Sequence, residues 1–491
     1  MSFSEIVSAV STSIWGMPFI VICLGTGIYF SIRTRFLQVR YLRSMVKMLF
    51  QGKSTTVGLS SFQSFMLALA GRVGTGNIVG VATAIALGGP GAIFWMWIIA
   101  FLGASTAHIE ASLGQIYKEK IAGNYRGGPA YYIHKGLKMK SFAILFAIVT
   151  IVSLGIFMPG VQANAICDAF HNAFGINKII TAGIVIFLLA FIIFGGIKRI
   201  ASVAQIATPF MAVGYILVAL VILILNIEKV PDMFMLIINC AFGLKPVAAG
   251  IVGSAIIMGV KRGIFSNEAG QGTAPHAAAA ADVSHPVKQG LVQAFSVYVD
   301  TLFVCSATAF MILITGMYKV FYSANCVSSD CVVMNGGGLS DSMFEYGAIF
   351  TQKAVEVNLP GYGATFVAIA LFFFAFTTLM SYYFQAETNV FYLFRKKTIA
   401  TIMINVLRIV MLSATFYTAI HAMTLAWDLT DIGVGVMAWL NIIAILLLQK
   451  PALKTFKDYE RQRKQGIKEP VFDAQKLNIS NADEWNKHNK I

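Results

Sequence analysis

The sequence predicts an all-α polytopic membrane protein of 11 transmembrane helices, one N-terminal helix followed by a 5+5 inverted repeat with two discontinuous helices. Three observations carry this. The 491-residue chain is 57% hydrophobic and only 12% charged, a membrane-protein composition. Apolar runs long enough to cross ~30 Å of hydrocarbon recur along it, separated by short charged loops that leave no room for a sizeable soluble domain. Two runs are interrupted by glycines and polar residues, at Gly71-Arg72-Val73-Gly74-Thr75-Gly76-Asn77 and at Gly263-Ile264-Phe265-Ser266-Asn267-Glu268-Ala269-Gly270, about half a chain apart. Such interruptions free backbone groups that lipid cannot satisfy, so they survive only where protein, ion or ligand takes up the bonds.

Taken in order, the runs fall at about 14–32, 62–87, 91–117, 142–167, 179–197, 203–226, 247–281, 289–317, 362–394, 400–423 and 430–449. The loop after the first run holds Arg33, Arg35, Arg40, Arg43, Lys47 and Lys53 and no acid, which makes it cytoplasmic and the N-terminus external. Lys118 to Lys140, Lys198-Arg199, the Lys288 loop, Arg395-Lys396-Lys397 and the tail from Lys450 then all fall inside, and Asp428 and Asp431 fall outside. An odd count leaves the C-terminus cytoplasmic, in a multi-pass protein of the cell (inner) membrane. No Lys or Arg precedes Arg33, so the first run reads as a retained helix and not a cleaved leader. The chain divides into residues 1–60 (N-terminal helix and basic loop), 61–230 and 231–450 (the two repeats, with their breaks in corresponding first helices), and 451–491 (tail).

The formal charge of +15 sits at span ends, which points to cytoplasmic loops and away from a nucleic-acid partner. Cys23, Cys167, Cys240 and Cys305 read as small core residues; Cys326 and Cys331 share one predicted outer loop, where a local disulfide is compatible. Gly88-Gly89-Pro90-Gly91 is a tight outer turn, and residues 123–132 form an inner loop. Segment 318–361 is either a lid over the site or a plain connector, and the tail reads as a solvated extension. Trp95, Trp97, Tyr131 and Tyr132 read as interfacial anchors.

At the first break, the half-helix opening at Gly76-Asn77 turns free amides and a positive dipole end toward an anionic group. The half-helix ending near Ala70 to Val73 turns free carbonyls toward a hard cation such as Na⁺. A glycine packing seam accounts for Gly80, Ala82, Ala84 and Ala86, but has no need of Thr75 and Asn77. At the second break, Ser266 and Asn267 suit helix capping. Glu268 is an ionisable group at membrane depth and a functional residue by default, for gating, a substrate ammonium or a proton; Arg72 is its natural partner. Lys261-Arg262 marks either an inner loop or a buried crossing. Thr377-Thr378 either bond back to their own helix or complete an oxygen cage around Na⁺, and Gln162 and Asn164 either line a cavity or lock two helices. His108, His171, His276, His285 and His421 have no metal-ligand spacing, and no phosphate loop exists, so zinc chemistry and ATP drive are unsupported.

Gly74-Thr75-Gly76-Asn77-Ile78-Val79-Gly80-Val81, Gly88 to Trp97, Tyr125-Arg126-Gly127-Gly128-Pro129, Arg262 to Gly272 and Phe374-Ala375-Phe376-Thr377-Thr378 resemble the alanine or glycine:cation symporter (sodium:alanine symporter) family, from about residue 60 to 450. The resemblance implies a fold like the bacterial leucine transporter with an extra N-terminal helix, and Na⁺-coupled, in some members H⁺-coupled, uptake of alanine, glycine and related small amino acids. It implies that the amides of Thr75 and Gly76 hold the substrate carboxylate. The carbonyls of Gly263 and Ile264, with Ser266, would receive the ammonium, with Phe265, Gln162 and Tyr382 around the substrate. The carbonyls of Ala70, Val73 and Phe374 and the hydroxyls of Thr377 and Thr378 would hold Na⁺, a coupling ion and not a tightly held cofactor, with Asn77 near both ligands. Tyr382 stands where many members have Trp, which leaves serine or glutamine open as the main substrate. The sequence thus predicts a transporter and not an enzyme, functional as a monomer in the lipid bilayer, with a cation channel as the rival class.

Overall fold

A computed structural model describes residues 3–51, 54–244, 250–324, 326, 328–421 and 423–488. Lys53 and the opening residues 247–249 of the seventh predicted run lie outside the described residues. Among the described residues, eight helices are long and apolar enough to cross a membrane: Ser4–Arg33, Gly91–Ile116, Lys140–Phe174, Gly196–Leu225, Pro286–Thr315, Gly363–Leu393, Lys397–Ile420 and Leu425–Leu447. Ser61–Arg72 and Gly76–Gly88 make a ninth if taken as one span, bent by 51°. The other two predicted runs give Lys178–Ile193, of 16 residues, and Val252–Asn267, also of 16, followed by Ala274–Ala280. Length and composition therefore support eight to nine of the eleven.

The periodicity of each helix decides which side meets lipid. In Gly196–Leu225, Ile206, Phe210, Val213, Leu217, Val221 and Ile224 face outward, while Ala201, Ala204, Thr208, Met211, Tyr215 and Ala219 are buried. The inner helices approach through small residues instead. A Cβ on Gly259 would collide with Ala92 O and Trp95 Cβ, and one on Gly290 would sit 2.7 Å from His108 Nδ1. Two helices thus close onto Gly91–Ile116 at near backbone contact, as membrane packing without a hydrophobic drive between helices requires.

Two connectors are ordered. Antiparallel strands Glu119–Ile121 and Asn124–Arg126 turn at Gly123, whose φ of +81° suits glycine. Opposite, Lys319–Phe321 pairs with Val332–Asn335, Cys326 is disulfide-bonded to Cys331, and buried Lys319 donates to the carbonyls of Ser340, Asp341 and Met343 at 2.9–3.1 Å. This segment runs along the Gly76–Gly88 half-helix: Val79 Cγ1 is 3.5 Å from where a Cβ on Gly347 would fall, and Val320 Cγ1 is 3.9 Å from one on Gly89.

Two expectations need correction. The tail is not a solvated extension: Phe472, Ala474, Ala482 and Trp485 are buried. Trp485 Nε1 donates to Gln115 O at 2.9 Å, Phe472 N to Ser284 O at 3.0 Å, and Lys118 lies between the rings of Tyr125 and Trp485. Burial pushes the Lys118 ammonium down to about 8. Tyr131 and Tyr132 are not interfacial anchors but fully buried, bonded to Thr388 O at 3.0 Å and to Asn441 Oδ1. Trp95 and Trp97 are partly buried, with Trp97 Nε1 on Ser306 Oγ at 2.8 Å.

Candidate functional site

Ser61–Arg72 begins with a capping box between Ser60 and Gln63 and stops where Val73 turns extended, at ψ 91°. Beyond the stop, the next two amides leave the helix pattern: Gly74 N donates to Asn77 Oδ1 at 2.8 Å and Thr75 N to Gln162 Oε1 at 3.0 Å. The carbonyl of Ala70 is thereby released toward the Gly363–Leu393 helix. Thr378 Oγ1 lies 2.9 Å from Ala70 O, 3.3 Å from Val73 O and 3.0 Å from Phe374 O. One hydroxyl hydrogen serves one of those carbonyls at a time, so four buried oxygens converge with lone pairs to spare. Such a cluster suits a hard cation. Thr377 Oγ1 turns back on Phe373 O and Phe374 O at 3.0 Å, so it reaches the cluster only through the shared Phe374 carbonyl.

On the other side of the break, Thr75 N and Thr75 Oγ1 both donate to Gln162 Oε1, at 3.0 and 2.6 Å. An amide oxygen here sits where a carboxylate oxygen would be accepted. Asn164 locks two helices, donating to the carbonyls of Ala419 and His421.

Asp300 is a site residue that no motif in the sequence singles out. It lies at full burial in a π-helical stretch, Val299–Cys305, within the Pro286–Thr315 span. Asn77 Nδ2 donates to Asp300 Oδ1 at 2.6 Å, Ser266 Oγ to its two oxygens at 3.1 and 2.9 Å, and Thr301 Oγ1 at 2.7 Å. One carboxylate therefore joins the first break to the helix carrying the second. Its signal was a lone acid inside a 30-residue apolar span, which is functional by default.

The second break lies later than predicted. Val252–Asn267 stays helical through Gly263, Ile264, Phe265 and Ser266, and Glu268 N donates to Ile264 O at 2.9 Å. The Ile264 carbonyl is thus engaged within the helix and Gly263 lies in its regular part, so neither is a freed acceptor for an ammonium. Gly263 serves packing, since a Cβ there would strike Ile99 Cγ2. The unwound stretch is 268–273, where Glu268, Gly270 and Gly272 take φ of +55°, +85° and +86°. Glu110, also missed, satisfies it by accepting from Gly270 N at 3.3 Å, Gly272 N at 3.2 Å and Asn441 Nδ2 at 2.7 Å. Asn267 Oδ1 caps the turn through Ala269 N.

Glu268 and Arg72 do not ion-pair among the described residues. Glu268 Oε2 accepts from Thr273 Oγ1 at 2.8 Å, and Arg72 donates to Gln293 O at 3.1 Å, its charge felt by Glu268, Glu110 and Asp300 together. Gly76 sets the first break against the helix that leads into the second: a Cβ there would lie 3.1 Å from both Phe265 Cδ1 and Ser266 Cα.

Comparison with known proteins fits this geometry. The model of the sodium:alanine symporter family matches residues 1–474. The chain belongs to the sodium:alanine symporter family. It is 56% identical over 484 residues to the putative sodium/proton-dependent alanine carrier protein YrbD of Bacillus subtilis (strain 168), covering 99% of this chain and 98% of the other. It is 51% identical over 441 residues to the sodium/proton-dependent alanine carrier protein of Bacillus sp. (strain PS3), covering 90% and 97%. The fold is similar to that of MhsT, solved in complex with L-phenylalanine, at a TM-score of 0.54 and 14% identity over 82% of this chain and 98% of that one. The protein is therefore a multi-pass membrane transporter, a cation-coupled amino-acid symporter and not an enzyme.

In this symporter, two buried ion-pair groups tie separate elements together. At one end Lys261-Arg262 belongs to the buried crossing: Arg262 forks Asp431 at 3.0 and 2.9 Å, Lys261 adds a contact at 2.7 Å, and Trp427 stacks between Arg262 and Phe265. At the basic end Arg126 meets Glu387 at 3.1 Å, and Glu387 also accepts from Tyr383, itself bonded to Arg408. Arg262–Asp431 joins Val252–Asn267 to Leu425–Leu447, and Arg126–Glu387 joins strand Asn124–Arg126 to Gly363–Leu393.

Proposed function

We propose that this symporter couples inward Na⁺ movement to uptake of a small neutral amino acid, alanine or glycine, by alternating access around the first break. The observation that carries the reading is the oxygen cluster of Ala70, Val73, Phe374 and Thr378, whose spare lone pairs fit Na⁺. The substrate carboxylate takes the Thr75 and Gly76 amides, displacing Gln162. Asp300, anchored by Asn77 and Ser266, supplies the buried negative charge that faces the positive partner. Phe265, which closes on Gly76, and buried Tyr382 bound the substrate side chain. The protein works as a monomer in the inner membrane, with eleven spans in an inverted repeat, the Arg126–Glu387 end cytoplasmic, the Arg262–Asp431 end outside, and Glu268 and Arg72 tuning the charge balance between them.

An imposed Na⁺ gradient is expected to drive labelled alanine into proteoliposomes, and Gly76→Val to abolish it with the protein still folded. Uptake that follows a proton gradient and ignores Na⁺ would replace the ion, and ion flux without amino acid would favour a channel. Glu387→Gln leaves Arg126 buried without its charge, a change costing about 3–5 kcal/mol. A thermal-unfolding scan of the variant is expected to show a clear fall in melting temperature, with uptake reduced at least tenfold.

A further inference from the structure

The segment that follows the first span has a surface the transport cycle does not use. Arg35 and Phe36 both take left-handed backbone, at φ of +55° and +52°, and turn the chain out of Ser4–Arg33 into the short helices Leu37–Arg40 and Leu42–Leu49. One side of these helices is committed to protein: Leu37, Met45, Met48 and Leu49 are buried. The other side exposes Val39, Leu42, Val46 and Phe50, at 59%, 44%, 41% and 75%. Exposed Arg35, Arg43 and Lys47 flank that apolar strip, and none of the three forms an ion pair among the described residues. No acid occurs between Arg33 and Lys47.

A helix with an apolar strip between basic residues lies in the membrane interface, burying the strip among acyl chains with its cations at the phosphate level. Clusters of Lys and Arg beside a transmembrane helix select anionic headgroups. We infer that residues 35–50 form a binding surface for anionic phospholipid in the leaflet at the basic face. Residues 55–59, which lead from this segment into Ser61–Arg72, bond to the end of the Ala274–Ala280 half-helix. Leu59 N donates to Ala280 O at 2.8 Å, Asp282 N to Leu59 O at 2.9 Å and Thr55 Oγ1 to Asp282 Oδ2 at 2.9 Å, just before Ser60 caps Ser61–Arg72. A headgroup that holds the segment thus holds the basic-face ends of both broken helices, and transport becomes sensitive to lipid charge.

The test is native mass spectrometry of the full chain extracted from vesicles of equimolar phosphatidylglycerol and phosphatidylcholine. The wild type is expected to retain phosphatidylglycerol over phosphatidylcholine by tenfold or more, since each near-surface charge contributes about fivefold. The triple variant Arg35→Gln/Arg43→Gln/Lys47→Gln is expected to lose that preference, and the exposed control Lys454→Gln/Lys457→Gln/Lys464→Gln to keep it. A triple variant that keeps the preference, or a control that loses it equally, overturns the inference. So does a wild type that retains the two lipids alike, whatever the variants do. None of these readouts depends on transport, so they stand apart from the fate of the proposed function.

Discussion

Gly74→Ala is expected to abolish ion-driven uptake. The added Cβ would fall on Thr378 Oγ1 and lie 3.0 Å from Gln162 Oε1. Thr378 is the only hydroxyl in the cation cluster, and Gln162 holds the Thr75 amide and hydroxyl. A single methyl therefore displaces the groups proposed for both ligands, in a region where neighbours are buried and have no room to yield. A change of this kind at a site needing sub-ångström placement reduces rates by a hundredfold or more. The matched control is Gly214→Ala, where a Cβ meets nothing within 4 Å. Uptake by purified, reconstituted protein separates them: near wild-type for the control, background for position 74. Retained uptake in Gly74→Ala would mean that the cluster is not the coupling site.

Asp300→Asn is expected to reduce uptake by at least a hundredfold, about 2.7 kcal/mol of lost stabilisation. The carboxylate accepts from Asn77, Ser266 and Thr301. Asparagine offers one acceptor oxygen and turns an NH₂ toward groups that are donating already, leaving at least one of them buried without a partner. It also removes a fully buried negative charge. Folding is checked by size exclusion and thermal unfolding, so that lost uptake is not mistaken for lost protein. Asp300→Asn protein that is folded and transports like the wild type would remove Asp300 from the mechanism.

The first break was legible because its chemistry is local: glycines, Thr75 and Asn77 within one apolar run, in a place where lipid tolerates no free backbone. Thr378 was left between a back-bonding hydroxyl and a cation ligand, since it and Ala70, 308 positions apart in sequence, meet only in the fold. The second break was misplaced because glycine has two uses. Gly263 permits close helix approach, whereas Gly270 and Gly272 provide positive φ, and a glycine-rich string does not tell these apart. Glu110 and Asp300 were passed over as single acids in long apolar helices, although the cost of burying them is itself the signal. The tail was read from charge alone; Phe456, Tyr459, Phe472 and Trp485, large apolar residues buried in it, were there to be weighed.

The most direct test is the linkage between the two ligands at equilibrium, measured as labelled-alanine affinity of the purified symporter while Na⁺ replaces choline at constant ionic strength. Na⁺ is expected to tighten alanine binding at least tenfold, and alanine to tighten Na⁺ binding by the same factor, because both ligands draw on the one interruption at residues 73–77. Alanine binding that is tight and indifferent to Na⁺ would contradict it.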